Sequence, residues 1–438
     1  MKKIIVILAA VMLVIYSTLP VYAAATPYPI IESEAAVLMD AKTGQVLWQK
    51  NMDEQLYPAS ITKIMTVLLG LEYGNLNDII TMSRSAIFSI EPGSSHIALD
   101  VGEQITMEQA LMAAMLPSAN EASNGIAEQI SGSTPEFVKL MNQRAVQAGA
   151  LHTNFANDNG LWSENHVTTA YDMAMITKTA LMNADFRRIF GTLKYDLPPT
   201  NKQPQIRHLY AEHKMLPNGR YAYDGVIGGK TGYTQKSQNT LVTAARRGDR
   251  ELIVVAIKSQ NNAVYTDTKA LLDYGFNEFE QVPIILPAIT ADQLANPRRD
   301  LEPVNSIFDQ LKNTYYTRLI HKNIDRNQVV VAYTAIDDPA GQNVTVAMSM
   351  QLKNPSDLMY SNLGSITLSA PIAPPTIPSK LLTMAKFIMK IIVGLVLALF
   401  ALRWFFTLRR KMRRRNGTIK GASSRITSIN FNKTDGWR

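Results

Sequence analysis

The chain has no cysteine. That excludes a disulfide framework, a thiolate metal site and a cysteine nucleophile, and it agrees with an exported bacterial protein without establishing one. Its six histidines, at 96, 152, 166, 208, 213 and 321, include no H-E-x-x-H or similar zinc spacing, so no metal and no cofactor is expected. His208 and His213 lie five apart and read as surface residues. There is no Walker loop, no dinucleotide fingerprint and no internal repeat. A hydrophobic fraction of 46% is ordinary for a globular protein, and 438 residues suffice for two domains with sizeable cores.

A net charge of +8 suggests nucleic acid until it is located. Residues 409–438 carry ten Lys and Arg against one Asp, which leaves the other 408 residues at −1. The basicity therefore belongs to a tail, and no nucleic-acid partner is expected. The tail comes after an apolar stretch, Leu381 to Leu408, broken only by Lys386, Lys390 and Arg403. As a helix those 28 residues reach ~42 Å, against a hydrocarbon layer of ~30 Å. The stretch reads as one transmembrane helix, because apolar residues run all round Ile391 to Leu402 instead of along a stripe; an interfacial amphipathic anchor is the alternative. The basic run from Arg409 to Arg415 then puts the tail in the cytoplasm by the positive-inside rule. At the other end, Lys2-Lys3, an apolar run from Ile4 to Ile15 and the small residues around Val21-Tyr22-Ala23 read as a signal peptide over residues 1–23, which makes the domain after it extracytoplasmic.

Between these ends the pattern is α/β. Ala35 to Met39 and Val46 to Lys50 read as strands joined through Lys42-Thr43-Gly44; Glu108 to Met115, Ser123 to Ile130 and Pro135 to Ala148 read as helices. Met112, Met115 and Met141 on those helices are expected to fill the core. Asn239 to Ala245 and Glu251 to Ser259 form a hairpin across Arg247-Gly248-Asp249, a helix runs from Ala263 to Leu272, and Lys230 sits on a strand beside the hairpin. The fold class is α/β (α+β): an antiparallel sheet packed by helices, with a helical subdomain as the second wall of a cleft. Prolines at 283, 287, 297 and 303 mark a boundary, after which Val329 to Thr334 and Val344 to Met350 suggest a small β-rich spacer domain. The expected organisation is a catalytic domain over 32–282, a spacer over 283–370, a proline-rich linker over 371–380, a transmembrane helix over 381–408 and a cytoplasmic tail over 409–438.

Three short motifs carry the chemistry: Ser60-Ile61-Thr62-Lys63, then Ser118-Ala119-Asn120 58 residues on, then Lys230-Thr231-Gly232. One S-x-x-K is weak evidence, but the three in this order and at these intervals are the pattern of penicillin-interacting serine acyltransferases. A serine hydroxyl needs a base to take its proton as it attacks. Lysine serves if burial and a neighbouring cation penalise its charged form. Spacing three puts Ser60 and Lys63 on one helix face, Pro58-Ala59 suits a helix start, and Lys230 would be the second cation.

The segment Tyr57 to Thr66 (YPASITKIMT), with Leu116 to Ala122 (LPSANEA) and Asp224 to Thr234 (DGVIGGKTGYT), resembles the serine-type D-Ala-D-Ala carboxypeptidases, the low-molecular-mass penicillin-binding proteins. The resemblance covers about residues 32 to 280 and implies a penicillin-binding, β-lactamase-like fold. It makes Ser60 the acylated nucleophile and Lys63 its general base, with Ser118 relaying protons. Asn120 would bond the substrate backbone, Lys230 and Thr231 would hold its terminal carboxylate, Gly232 would leave room for it, and the backbone N–H groups of Ser60 and Tyr233 would form the oxyanion hole. The implied partners are peptidoglycan stem peptides ending in D-Ala-D-Ala, β-lactams as covalent inhibitors, and the membrane. A β-lactamase and a silent wall-binding relative are the alternatives. Three places depart from the family. Asn157-Asp158-Asn159-Gly160 stands where many relatives have Asn-Pro-His-Gly and reads equally well as an Asn-Gly turn, Glu121 replaces a commoner Asp, and Ser237 to Thr240 replaces a common Ala-Gly-Tyr-Cys.

Overall fold

In a computed structural model, residues 28–285, 307, 315–337, 343–353, 362–371 and 379–417 are described. The expected signal peptide, most of the proline-rich linker and residues 418–438 of the basic tail lie outside them. The chain divides into one compact unit ending at Pro371 and a second beginning at Ile372.

The first unit is organised by a five-stranded antiparallel sheet built from β1 (Ala35–Asp40), β2 (Val46–Lys50), β7 (Val226–Thr234), β8 (Gln238–Arg247) and β9 (Arg250–Ser259), in the order β2-β1-β9-β8-β7. Every residue of β1 is buried, because both faces are covered. Successive side chains leave a strand on opposite sides. Ala35, Val37 and Met39 accordingly join one apolar cluster with Val242, Ile253, Val255 and Ile257, whereas Ala36 and Leu38 join another with Leu241, Leu252, Val254 and Ala256. The helix Ala263–Glu278 covers the second face and runs six residues beyond the expected Leu272. Short pairs complete the first part of the unit: β3 (Ile79–Thr81) with β4 (Gln104–Thr106), and β5 (Lys194–Leu197) with β6 (Arg207–Tyr210).

The first face carries the helical layer. The helix Lys63–Tyr73 is buried from Lys63 through Gly70, as expected of a helix apolar on all sides. Helices Met107–Met115, Asn120–Ser131, Thr134–Gln147 and Ala170–Ala180 surround it; three of their starts are written in the sequence, as a capping box of Thr106 and Gln109, as Ser133 with Pro135 behind it, and as Thr169 accepting from the Asp172 N–H, whereas Asn120–Ser131 begins after Ala119 with no side-chain cap. Met112, Met115 and Met141 are buried in this layer, where the spacing put them.

Further along, β10 (Phe279–Ile285) pairs with β11 (Tyr315–His321), and β12 (Val329–Asp337), β13 (Asn343–Leu352) and β14 (Asn362–Pro371) form a three-stranded antiparallel sheet. β10 runs through the position at which the prolines suggested a boundary, with Pro283 opposite Thr317. In a two-stranded ribbon a proline is tolerated, since each strand has a free edge. Gln45, in the turn after β1, donates to the Leu319 carbonyl at 2.7 Å and accepts from its N–H at 3.1 Å, so one side chain imitates a ladder rung and ties β11 to the main sheet.

The second unit is the helix Ser379–Gly417. Within it Lys386–Lys411, at ~39 Å for 26 residues, is the one stretch among the described residues long and apolar enough to cross a membrane. Phe387, Leu397, Leu399, Phe400 and Trp404 are all exposed.

Candidate active site

Ser60 lies in a 3-10 turn, Ala59–Thr62, placed against the start of the helix that begins at Lys63, and not on the α-helix itself. The chain enters the turn through Ala59 at φ +51°, a left-handed value that a non-glycine residue holds only when its surroundings impose it. Those surroundings are visible. Thr240, on β8, donates to the Pro58 carbonyl at 2.8 Å, and Thr62 donates to the Ala59 carbonyl at 2.8 Å. A Cβ on Gly160, itself at φ +87°, would stand 2.0 Å from the Ala59 oxygen and 2.9 Å from the Ser60 nitrogen. A Cβ on Gly232 would stand 2.8 Å from that same nitrogen and 2.4 Å from Thr240 Oγ1. Gly232 therefore has a packing reason beside the one expected of it: it lets β7 lie against the serine turn.

Lys63 is fully buried, and its Nζ is ringed by Asn159 O at 2.5 Å, Asn120 Oδ1 at 2.7 Å and Ser60 Oγ at 3.2 Å. Burial, and secondarily the Lys230 charge, hold its pKa well below the ordinary lysine value. A neutral amine has two N–H groups and one lone pair. Two of its neighbours are carbonyl oxygens, which can only accept, so they take both N–H groups. In that neutral form the lone pair would be left facing the Ser60 hydroxyl, 3.2 Å away.

Ser118 lies in the turn between helices Met107–Met115 and Asn120–Ser131, and Asn120 is the first residue of the second. Ser118 has φ +65°, and its Oγ is buried with no hydrogen-bond partner among the described residues. Lys230 is buried on β7, donates to the Thr231 carbonyl at 3.2 Å, and has its pKa brought down to about 8 by burial, against an opposing pull from Glu212. Thr231, Gly232 and the exposed Tyr233 line the same cleft as Ser60, Ser118 and Asn120, a cavity of about 320 Å³. All eight residues singled out from the sequence thus gather at one place, six along the cleft, with Lys63 beneath Ser60 and Lys230 buried in β7 next to Thr231.

Several participants were not legible in advance. Asn159 is buried, not part of an exposed Asn-Gly turn: its carbonyl holds Lys63 while its amide donates to Asn124 Oδ1 at 3.0 Å. Beside it the buried Asp158 has its pKa raised to about 7 by desolvation, and its carbonyl accepts from the Thr66 hydroxyl. Glu121 is buried, accepts from the Ile97 N–H at 2.7 Å, and is shifted upward by desolvation. His166 Nδ1 accepts from the Ala156 N–H at 2.9 Å, which assigns the ring proton to Nε2, 2.8 Å from Thr62 Oγ1. Burial, and then Lys63, push its pKa down to about 3, so it is neutral. His208 is exposed as expected, but the reading of His213 as a surface residue is corrected: it is buried, bonded to Thr243 Oγ1 at 2.9 Å, and its ring fills the space a Cβ on Gly229 would need. A local pattern of one histidine carries no information about the strand that will cross above it.

Residues 22–261, more than half of the chain, match the D-alanyl-D-alanine carboxypeptidase family. The chain belongs to this family. It is 36% identical over 261 residues to the D-alanyl-D-alanine carboxypeptidase DacF of Bacillus subtilis, covering 58% of this chain and 64% of that protein. It is 30% identical over 271 residues to DacC of Escherichia coli, covering 60% and 66%. The matched region thus spans slightly under two thirds of these relatives. Among solved structures, the Streptomyces K15 DD-transpeptidase superposes with a TM-score of 0.54 at 28% identity, over 57% of this chain and 99% of that one. A D-alanyl-D-alanine carboxypeptidase from Mycobacterium tuberculosis gives 0.53 at 26%, over 58% and 94%. Family membership agrees with the mixed architecture and with the order of the three motifs, and the likeness falls on the part of the chain that holds the cleft.

Proposed function

We propose that the protein is a serine D-Ala-D-Ala carboxypeptidase that removes the terminal D-Ala from peptidoglycan stem pentapeptides and is acylated by β-lactams. The observation that carries this reading is the surroundings of Lys63: a buried amine, depressed in pKa, with Asn159 O, Asn120 Oδ1 and Ser60 Oγ around its Nζ, so that once neutral it would turn its lone pair to Ser60. Ser60 Oγ attacks the carbonyl carbon of the penultimate D-Ala as its proton passes to Lys63. The oxyanion is met by the backbone N–H groups of Ser60 and Tyr233. The C–N bond breaks, the leaving D-Ala nitrogen takes the proton by way of Ser118, whose hydroxyl has no competing partner among the described residues, and water then hydrolyses the ester and restores Ser60. Lys230, charged below about pH 8, and Thr231 receive the terminal carboxylate, and Asn120 meets the peptide backbone. The names of the relatives support the substrate class.

The modular reading belongs to the same proposal: a signal peptide over 1–23, a catalytic domain over 32–282, a β-rich spacer over 283–370, and an anchor that crosses the membrane once with the basic tail inside. The long apolar helix supports the anchor, and the arginines after it support its direction. Labelled penicillin tests the chemistry. One covalent adduct is expected, on Ser60, absent in Ser60→Ala, and a stem pentapeptide should lose the mass of one alanine. An adduct mapped to another residue would sink the assignment, and transfer of the acyl group to an added amine in place of water would make the protein a transpeptidase instead.

A further inference from the structure

The cleft holds a carboxylate that the three motifs do not include. Glu212 lies just after β6, and its side chain reaches Thr231, whose hydroxyl donates to Glu212 Oε2 at 3.2 Å. Its backbone is pinned on both sides: its own N–H donates to the Leu116 carbonyl at 3.3 Å, the Ala211 N–H donates to Leu193 at 2.9 Å, and the next residue is the buried His213. The carboxylate itself is exposed along the cleft that Ser60 lines, and no ion pair within 4.0 Å reaches it among the described residues. Its charge nevertheless acts on both buried lysines, raising the pKa of each against the effect of burial.

We infer that Glu212 is a specificity-determining residue, an internal carboxylate that occupies the Thr231 hydroxyl and must be displaced by any ligand that brings a carboxylate of its own. The inference rests on the proposed use of Lys230 and Thr231 for a terminal carboxylate. Two carboxylates competing for one hydroxyl and one buried ammonium repel each other, so an anionic ligand is penalised at this place and an uncharged one is not. Because Glu212 is exposed, it can swing into solvent when a carboxylate enters, which makes it a gate and not a block. The cleft is thereby biased toward ligands whose terminal group is amidated or otherwise uncharged, relative to the same cleft with a neutral residue at 212.

The test is equilibrium binding to the full-length chain in detergent on a Ser60→Ala background, so that nothing turns over. The two ligands are a diacylated tripeptide ending in D-Ala-D-Ala and the same tripeptide as its C-terminal amide. Glu212→Gln keeps the size of the side chain and an acceptor for Thr231. It should tighten the carboxylate peptide by about tenfold, the ratio a contribution of ~1.4 kcal/mol produces, and leave the amide unchanged. Glu212→Ala should tighten the carboxylate peptide in the same direction. Equal changes for both peptides, or weaker binding of the carboxylate peptide, would overturn the inference. The penicillin adduct on wild-type protein reads the acyl-enzyme proposal separately. An absent adduct with a changed binding ratio removes that proposal and leaves the gate; a normal adduct with an unchanged ratio removes the gate alone.

Discussion

Two lysines are buried within the same site, and their surroundings differ in kind. Lys63 Nζ is held by two carbonyl oxygens and the Ser60 hydroxyl, whereas Lys230 Nζ has, among the described residues, a single bond, to the carbonyl of the residue after it. Burial depresses both, but Lys63 also feels Lys230 as a neighbouring cation and falls well below the ordinary value; Lys230 stops at about 8. In the proposed mechanism the first amine takes a proton and the second, charged below about pH 8, attracts an anion. Two identical side chains, both taken out of water, are given different electrostatic surroundings by what else was taken out with them.

That comparison breaks most sharply at Lys63. Lys63→Arg keeps a cation but cannot be neutral, so acylation by labelled penicillin should fall by about 10³-fold, within the range general-base catalysis contributes. A rate near wild type would make the two lysines equivalent and remove the distinction between them. The second expectation concerns the frame around Lys63. Gly160→Ala places a Cβ 2.0 Å from the Ala59 oxygen at a φ of +87°, so denaturant unfolding should show a loss of about 2 kcal/mol or more together with poor acylation. Unchanged stability would show that the serine turn is not locked by that approach.

Lys230→Arg should cost less, about tenfold, because the charge survives while the compact ammonium does not. In the wild-type enzyme the direction of the shift sets the sign of the pH effect. Lys230 is protonated below about 8 and loses its charge as pH rises through that value, so KM for a carboxylate-terminated peptide should rise on the alkaline side. Lys63 acts in the opposite sense: acidification protonates the base and lowers the acylation rate constant. A KM flat from pH 7 to 9 would remove Lys230 from carboxylate binding. The smallest effect is expected from removing the second unit. A chain of residues 24–370 should be soluble and acylated at the wild-type rate, since all three motifs lie on the first unit, and the full-length protein should stay with membranes through high-salt washing. Release by salt alone would favour a peripheral anchor.

Most of the regular structure was open to reading from local pattern. The hairpin of β8 and β9 sits where two apolar runs and Gly248 put it, and several helices began at capping residues visible in the chain. The end of the helix Ala263–Glu278 was read too early, because Asp273, Asn277 and Glu278 look like a polar stop until Tyr274, Gly275 and Phe276 are seen to be buried against the sheet. At the site, the nucleophile, its lysine and the strand-borne lysine announced themselves through motif spacing. Asn159, Asp158, His166, His213 and Glu212 did not.

The division has a physical cause. Periodicity, caps and turn residues act over a few positions, and a reactive motif such as Ser60-Ile61-Thr62-Lys63 lies within one turn of chain, so the sequence by itself determined the elements, the family pattern and which residues had the right chemistry. The state of those residues depends on partners distant in the chain: Lys63 meets Asn120 57 positions away and Asn159 96 positions away, and His213 meets Thr243 30 positions away. Desolvation likewise depends on what packs above a residue, not on what precedes it. Only the tertiary structure decided that Lys63 lies against two carbonyl oxygens and the Ser60 hydroxyl, that His213 is a buried wedge under Gly229, and that an acid, Glu212, meets the Thr231 hydroxyl in the cleft.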